Sequence, residues 1–241
     1  PVNNHQPGSE LLDHYRPQTL REGLYHADGQ IQDEVYVYGS FIQSKMHQRG
    51  VRCSNCHEPH SLELKAPGNG VCANCHAPET YNSPKHHFHQ PANSPGAQCV
   101  NCHMPSTVYM GVDPRRDHSM RIPDPQLAEK TGAPNACINC HQNKTNAWAG
   151  SAISSWLKLK SDSNPQQSSH PGEAIFAGRE QQQGANQQLI DLATDSSINS
   201  IARATALGLL QNHPNQGSYQ TARQQLSNKD PMVRLGALET L

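Results

Sequence analysis

The chain has 241 residues, a formal net charge of −1, 34% hydrophobic residues and 5% aromatic ones. That length suggests one or two domains, and an apolar share below the roughly 45–50% of ordinary globular chains leaves a conventional core thin. Near-neutral charge argues against a nucleic-acid binder, which needs a basic face, and no run of about 18 apolar residues is present to span a membrane. Against this background 8 Cys and 15 His stand out, so something besides aliphatic packing is expected to organise the fold. The first residue is Pro1, with neither an initiator Met nor an apolar signal segment after it, which reads as a processed product or a fragment.

Residues 1–50 are polar. Their patch Val35-Tyr36-Val37-Tyr38 alternates too briefly to support a sheet, and a helical turn or two is expected around Phe41–Gln48. From Val51 to His141 the chain is punctuated by Pro and Gly and carries all the cysteines, which predicts loops. One amphipathic helix is predicted over Asn146–Leu159, with Trp148, Ile153, Trp156 and Leu157 on its apolar side. The Ser-, Gln- and Asn-rich stretch Ser161–Gln183 reads as a linker.

The C-terminal part repeats itself. Arg203, Ala206, Leu207 and Leu210 recur as Arg234, Ala237, Leu238 and Leu241, an offset of 31 residues. Apolar residues at Leu189, Ile190 and Leu192, and again at Tyr219, Ala222 and Leu226, supply a preceding helix for each copy. Helix pairs at a short fixed period point to an α-solenoid of the HEAT or tetratricopeptide kind. Two pairs bury their faces poorly, so the natural chain is expected to continue or the sequence to stop inside a repeat.

Every cysteine belongs to one motif: Cys53-x-x-Cys56-His57, Cys72-x-x-Cys75-His76, Cys99-x-x-Cys102-His103 and Cys137-x-x-Cys140-His141. This is the c-type haem attachment sequence. Two thiols three positions apart each add to a haem vinyl group, and the adjacent His becomes the proximal iron ligand. Zinc sites, disulfides and a thioredoxin-like pair compete for the same cysteines. Zinc has no use for a His after every pair. With histidine at 15 of 241 residues, four chance placements have a probability of roughly one in 10⁵. A disulfide within Cys-x-x-Cys is short and strained, and the βαβ context of a redox pair is missing. Four covalently attached haem c groups are therefore predicted. Successive first cysteines lie 19, 27 and 38 residues apart, so neighbouring macrocycles would be close and would supply the core that the side chains lack.

Eleven histidines remain for the sixth iron positions. His47, His60 and His118 are expected to be ligands, and one or two of the cluster His86-His87-Phe88-His89, with His87 and His89 ahead of His86. His5, His14, His26, His170 and His213 read as surface residues, although His26 could approach a haem. Met46, Met104 and Met110 are possible thioether ligands, but so many histidines favour bis-His ligation. Low-spin, saturated irons suit electron transfer rather than catalysis.

These residues resemble multihaem c-type cytochromes with doubled Cys-x-x-Cys-His motifs and a C-terminal helical-repeat region. The resemblance is carried by Ser44-Lys45-Met46-His47, Gly50 to His60, Val71 to His76, His86 to His89, Cys99 to Pro105, Asp113 to Ser119 and Pro134 to His141. It covers roughly residues 20–150 well, and 185–241 only as a repeat type. It implies an exported electron carrier with bis-His haems, although related folds include enzymes of nitrogen and sulfur oxyanions.

The expected fold class is mostly α with extensive loops. An N-terminal segment (1–50) packs on a tetrahaem domain (51–160), followed by a linker (161–184) and HEAT-like repeats (185–241). Haem attachment takes place outside the cytoplasm, which predicts a periplasmic or extracellular protein. Its expected partners are redox proteins, with self-association into a filament through haem ends as a variant. No catalytic residue is assigned. The alternative is a reductase or oxidase of a small nitrogen or sulfur compound at one open iron, with Arg115, Arg116 and Lys85 as anion binders, and a third is a solenoid binding module.

Overall fold

The computed structural model describes residues 6–90, 93–158 and 170–241. It is mostly α, with long connecting loops and one two-stranded sheet among the described residues. The chain divides into two compact units: the described residues of Pro1–Gln43, Leu127–Ala133 and Ser161–Leu241, and those of Ser44–Gln126 and Pro134–Lys160.

The second unit carries all four motifs, mostly on helical pieces of four or five residues. Between its third and fourth motifs, β1 (Ser106–Tyr109) and β2 (Asp113–Arg116) form an antiparallel hairpin with Ser106 opposite Arg116 and Tyr109 opposite Asp113. Its turn puts Met110 at φ 50° and Gly111 at φ 75°, and Val112 N–H donates to Tyr109 C=O at 3.1 Å. Two successive left-handed residues match the right-handed twist of the flanking strands. Sequence reasoning missed this hairpin; its signal was Met110-Gly111 between β-branched and aromatic residues. Helix α1 (Asn146–Lys158) closes the unit where the sequence predicted a helix.

This unit has almost no apolar core of its own. Among the described residues its buried hydrophobics are Ala97, Tyr109 and Ala149, whereas 25 others lie in the first unit. A folded stretch of this length normally hides far more apolar surface, so side-chain packing alone does not hold these loops together.

The first unit is an ordinary helical body. Helices α2 (Pro171–Arg179), α3 (Ala185–Thr194), α4 (Ser200–Leu210), α5 (Gln216–Gln225) and α6 (Pro231–Thr240) pack in succession, α4 most extensively on α6. The 31-residue offset is realised in the helices themselves, since Ala185 and Gln216 open one pair and Ser200 and Pro231 the other. Asn199, Asn215 and Asp230 each accept a backbone N–H at a helix start, through Ala202, Ser218 and Met232, as N-cap side chains do. Gly236 lets α6 approach α4 closely, because a Cβ there would lie 2.5 Å from Ala204 O and 2.8 Å from its Cα. Leu207 and Leu210 are fully buried beneath the second pair, while their counterparts Leu238 and Leu241 are exposed.

Two features differ from the sequence expectation. Helix α2 lies inside the stretch read as a linker. Polar Ser, Gln and Asn dominate that stretch and hide the short run Glu173-Ala174-Ile175-Phe176-Ala177, which is capped by His170 and begins with Pro171. The linker's first residues, 161–169, lie outside the described residues. Residues 1–43 group with these helices, whereas the sequence reading set them on the motif-bearing stretch. Leu20, Tyr25, Ala27 and Ile31 are buried. Leu20 N–H donates to Thr205 Oγ1 at 2.8 Å, and the Arg179 guanidinium donates to Tyr25 O at 3.1 Å and Leu20 O at 2.6 Å. Val35-Tyr36-Val37-Tyr38 forms no strand; Val37–Phe41 and Lys45–Gln48 are single helical turns.

Candidate haem-binding site

Each Cys-x-x-Cys-His forms one helical turn. His57, His76 and His141 N–H donate to Cys53, Cys72 and Cys137 C=O, each at 2.9 Å, and Cys99–His103 is itself a helix. Residues three apart lie on one face of such a turn, so both thiols project together with the imidazole just beyond them. All eight thiols are free. Polar side chains hold the turns: Asn55 accepts from Arg52 N–H at 2.7 Å, Asn135 from Cys137 N–H at 3.0 Å, and Asn69 from Cys99 N–H at 2.9 Å. The last bond runs from the approach to the second motif into the third.

Consecutive motifs neighbour one another. Cys72 hydrogen-bonds Cys99, which pushes the Cys72 thiol up and brings Cys99 down to about 7. Burial raises Cys56, with Cys75 adding to the shift, and burial raises Cys102, with Cys137 and Cys140 adding. Consecutive turns are thus near one another.

The imidazoles are paired. The ring of His57 faces His118 with centroids 6.3 Å apart, His103 faces His86 at 6.1 Å, and His141 faces His89 at 6.2 Å. These are too far apart for contact stacking and close to what two imidazoles on opposite sides of one metal require. A metal–nitrogen bond of about 2 Å on each side, plus ~1 Å from ring nitrogen to centroid, separates centroids by ~6 Å. Three motif histidines therefore each have a partner from elsewhere in the unit.

The proton positions suit ligation. His57 Nδ1 donates to Leu62 O at 2.8 Å, His103 Nδ1 to Arg121 O at 2.8 Å and His118 Nδ1 to Arg116 O at 2.9 Å, and His89 Nδ1 donates to His87 O. A carbonyl only accepts, so Nδ1 carries the hydrogen and Nε2 keeps its lone pair, the arrangement of metal-bound histidine.

The cluster at 86–89 divides by its ring contacts. His86 and His89 face motif histidines, whereas among the described residues the ring contact of His87 is with His89. His87 Nδ1 accepts the His89 N–H at 3.2 Å, which puts the ring hydrogen on Nε2, a buried atom without a hydrogen-bond partner. Such a donor costs about 1–3 kcal/mol unless an acceptor joins it, and a haem propionate is one. Phe88, left-handed at φ 55°, turns the chain between His87 and His89. No local pattern in three near-adjacent histidines separates these roles.

The ring contact of His76 is with Tyr81, edge-on at 5.5 Å; among the described residues no imidazole stands opposite it. His60 is 94% exposed at its side chain, with Nδ1 3.2 Å from Glu58. The Glu58 carboxyl is held below its ordinary value, first by the Ser61 N–H and then by His60. His47 lies on the turn that enters the first motif. Of the histidines read as surface residues, His170 caps α2 and His213 Nε2 donates to Gly178 O at 2.9 Å. Met110 sits exposed at the hairpin turn. Two tryptophans of α1, read from sequence only as part of a helix's apolar side, flank the fourth motif: Trp148 packs on His141 at 4.9 Å, and Trp156 stacks on Phe88 at 4.5 Å beside His89.

The arginines read as anion binders are engaged locally. Arg115 pairs with Asp113 at 2.6 Å, and Arg116 donates to Met104 O, Val100 O and Asn101 Oδ1.

The residues present fit covalently held haems: paired thiols on four helical turns, three imidazole pairs whose ring centroids stand a metal-sized distance apart, and a unit with almost no apolar core among its described residues. No protein-family model matches the chain, and neither does any curated protein. Among solved structures it is similar to the outer cell wall cytochrome OcwA, at a TM-score of 0.47 and 14% identity, over 97% of this chain and 58% of that one. The chain thus spans less than two thirds of that protein. A likeness of this degree lends nothing to the functional assignment, which stands on the motifs and on the facing imidazoles.

Proposed function

We propose that the chain is an exported tetrahaem c-type cytochrome that carries electrons between protein partners. The observation that carries this reading is the set of three facing imidazole pairs at 6.1–6.3 Å, each joining a motif His to a His from another segment. Haem c, when bound, supplies a one-electron iron couple. The chain's own residues do the rest. Cys53, Cys56, Cys72, Cys75, Cys99, Cys102, Cys137 and Cys140 anchor the groups, and His57, His76, His103 and His141 bind them proximally. His118, His86 and His89 close three of the opposite positions, while backbone carbonyls fix the rings. Six-coordinate irons bind no substrate, which suits relay. The chain-order adjacency of the motifs supports a linear run of redox centres, whose ends could meet those of other copies in a filament.

A second reading, reduction or oxidation of a small nitrogen or sulfur compound, draws on His76, whose ring faces Tyr81 rather than an imidazole. Nitrite or hydroxylamine added to the oxidised protein tests it. The carrier reading expects an unchanged haem spectrum, and a shifted Soret band from one haem in four supports the reductase instead.

A further inference from the structure

The hairpin between the third and fourth motifs joins two ligand sets. Its first strand follows directly from Cys102-His103-Met104-Pro105, and its second runs directly into Asp117-His118. The two ends are tied by Asp117 N–H donating to Pro105 O at 3.1 Å, and the Asp117 side chain is held in turn by the nearly buried Arg121 at 3.2 Å. Arg116 stands at this junction, opposite Ser106. Its guanidinium donates to Met104 O at 3.0 Å, to Val100 O at 3.3 Å and to Asn101 Oδ1 at 3.2 Å. These acceptors are the Met104 carbonyl just past the Cys99–His103 turn, the Val100 carbonyl inside it, which also accepts the Met104 N–H, and the Asn inside that motif. Its own carbonyl receives the Nδ1 hydrogen of His118 at 2.9 Å, and His118 faces His57 of the first motif.

From this we infer that Arg116 is a positioning residue shared by two haem sites: its side chain sets the third attachment turn, and its main chain orients the sixth ligand of the first site. The inference rests on the tetrahaem reading above. A fork of donors in fixed geometry does this where a single ammonium cannot. The fixed positive charge also disfavours the oxidised, more positive iron on both sides, so it raises the potential of both sites together.

The test compares wild type with Arg116→Gln, Arg116→Lys and, as a control for a nearby charge, Arg115→Gln. Haem content, low-spin EPR signals and the individual midpoint potentials are measured on each holoprotein. Arg116→Gln is expected to keep four haems, move two of the four low-spin signals and lower two of the four potentials. Arg116→Lys is expected to restore the potentials more fully than the signal positions, because it returns the charge without the fork. Should Arg116→Gln fail to mature, Arg116→Lys alone carries the test through its two displaced signals. Unmoved signals in haem-loaded variants, a uniform shift of all four, or the same shift from Arg115→Gln would overturn the inference and leave the cytochrome reading standing. A wild-type protein without haem overturns both.

Discussion

The cluster 86–89 gives a sharp separation between adjacent residues. His86 faces His103 at 6.1 Å, whereas His87 keeps its ring hydrogen on a buried Nε2. His86→Ala removes one sixth ligand without touching a thiol, so haem content should remain four per chain. One iron in four loses its low-spin state, which predicts a high-spin EPR signal worth about a quarter of the haem. His89→Ala should convert a different quarter, and the double variant about half, because the two pairs share no ring. His87→Ala should convert none; removing its unpartnered donor changes stability by about 1–3 kcal/mol at most. The assay is EPR spin quantification against pyridine haemochrome on the same samples. High-spin iron in His87→Ala together with none in His86→Ala would refute the pairing and the tautomer argument behind it.

Further outcomes follow from the packing. Gly236→Ala forces a Cβ to within 2.5 Å of Ala204 O, a backbone atom that cannot swing aside; overpacking of this kind costs about 1–3 kcal/mol, read as a lower midpoint in thermal melts of the 222 nm signal. Gly150→Ala, where the added Cβ meets only Gln126 Cγ at 3.7 Å, should be neutral or stabilising by up to ~1 kcal/mol. Asp195 is held below its ordinary pKa by the side chain and N–H of Ser197. A depressed carboxylate adds stability above its unfolded pKa that is lost as pH falls through the folded value. Wild type should therefore melt above Asp195→Asn at neutral pH, and the gap should close on acidification below about 4.

What was legible from sequence and what was not divide along physical lines. The motifs are local: two thiols and a His within five residues need only one helical turn, so the shape of Cys53 to His57 and its three copies could be read directly. The 31-residue offset of Arg, Ala and Leu was equally open to reading, since it recurs in the helix starts, although Leu238 and Leu241 are exposed where Leu207 and Leu210 are buried. The partners of the motif histidines were not legible, since His118 reaches His57 across 61 residues of chain and nothing in the intervening spacing sets that meeting. Which of His86 and His87 faces a motif histidine was not legible either, since both lie on the one turn Pro84–His87 and differ only in direction. The place of residues 1–43 was hidden for another reason. A polar segment with few apolar residues gives no hint that Leu20, Tyr25 and Ile31 are its inward face, and the Arg179 guanidinium that binds the Leu20 and Tyr25 carbonyls lies more than 150 residues away.

The central claim is that the motif histidines are paired with imidazoles across covalently bound iron. Its most direct test is the EPR spectrum of the oxidised wild-type protein, with haem quantified on the same sample. The account predicts four haems per chain, at least three of them low-spin, with the state of the fourth, at His76, deciding between carrier and reductase. Fewer than three low-spin irons, or cysteines that hold zinc and no haem, would contradict it.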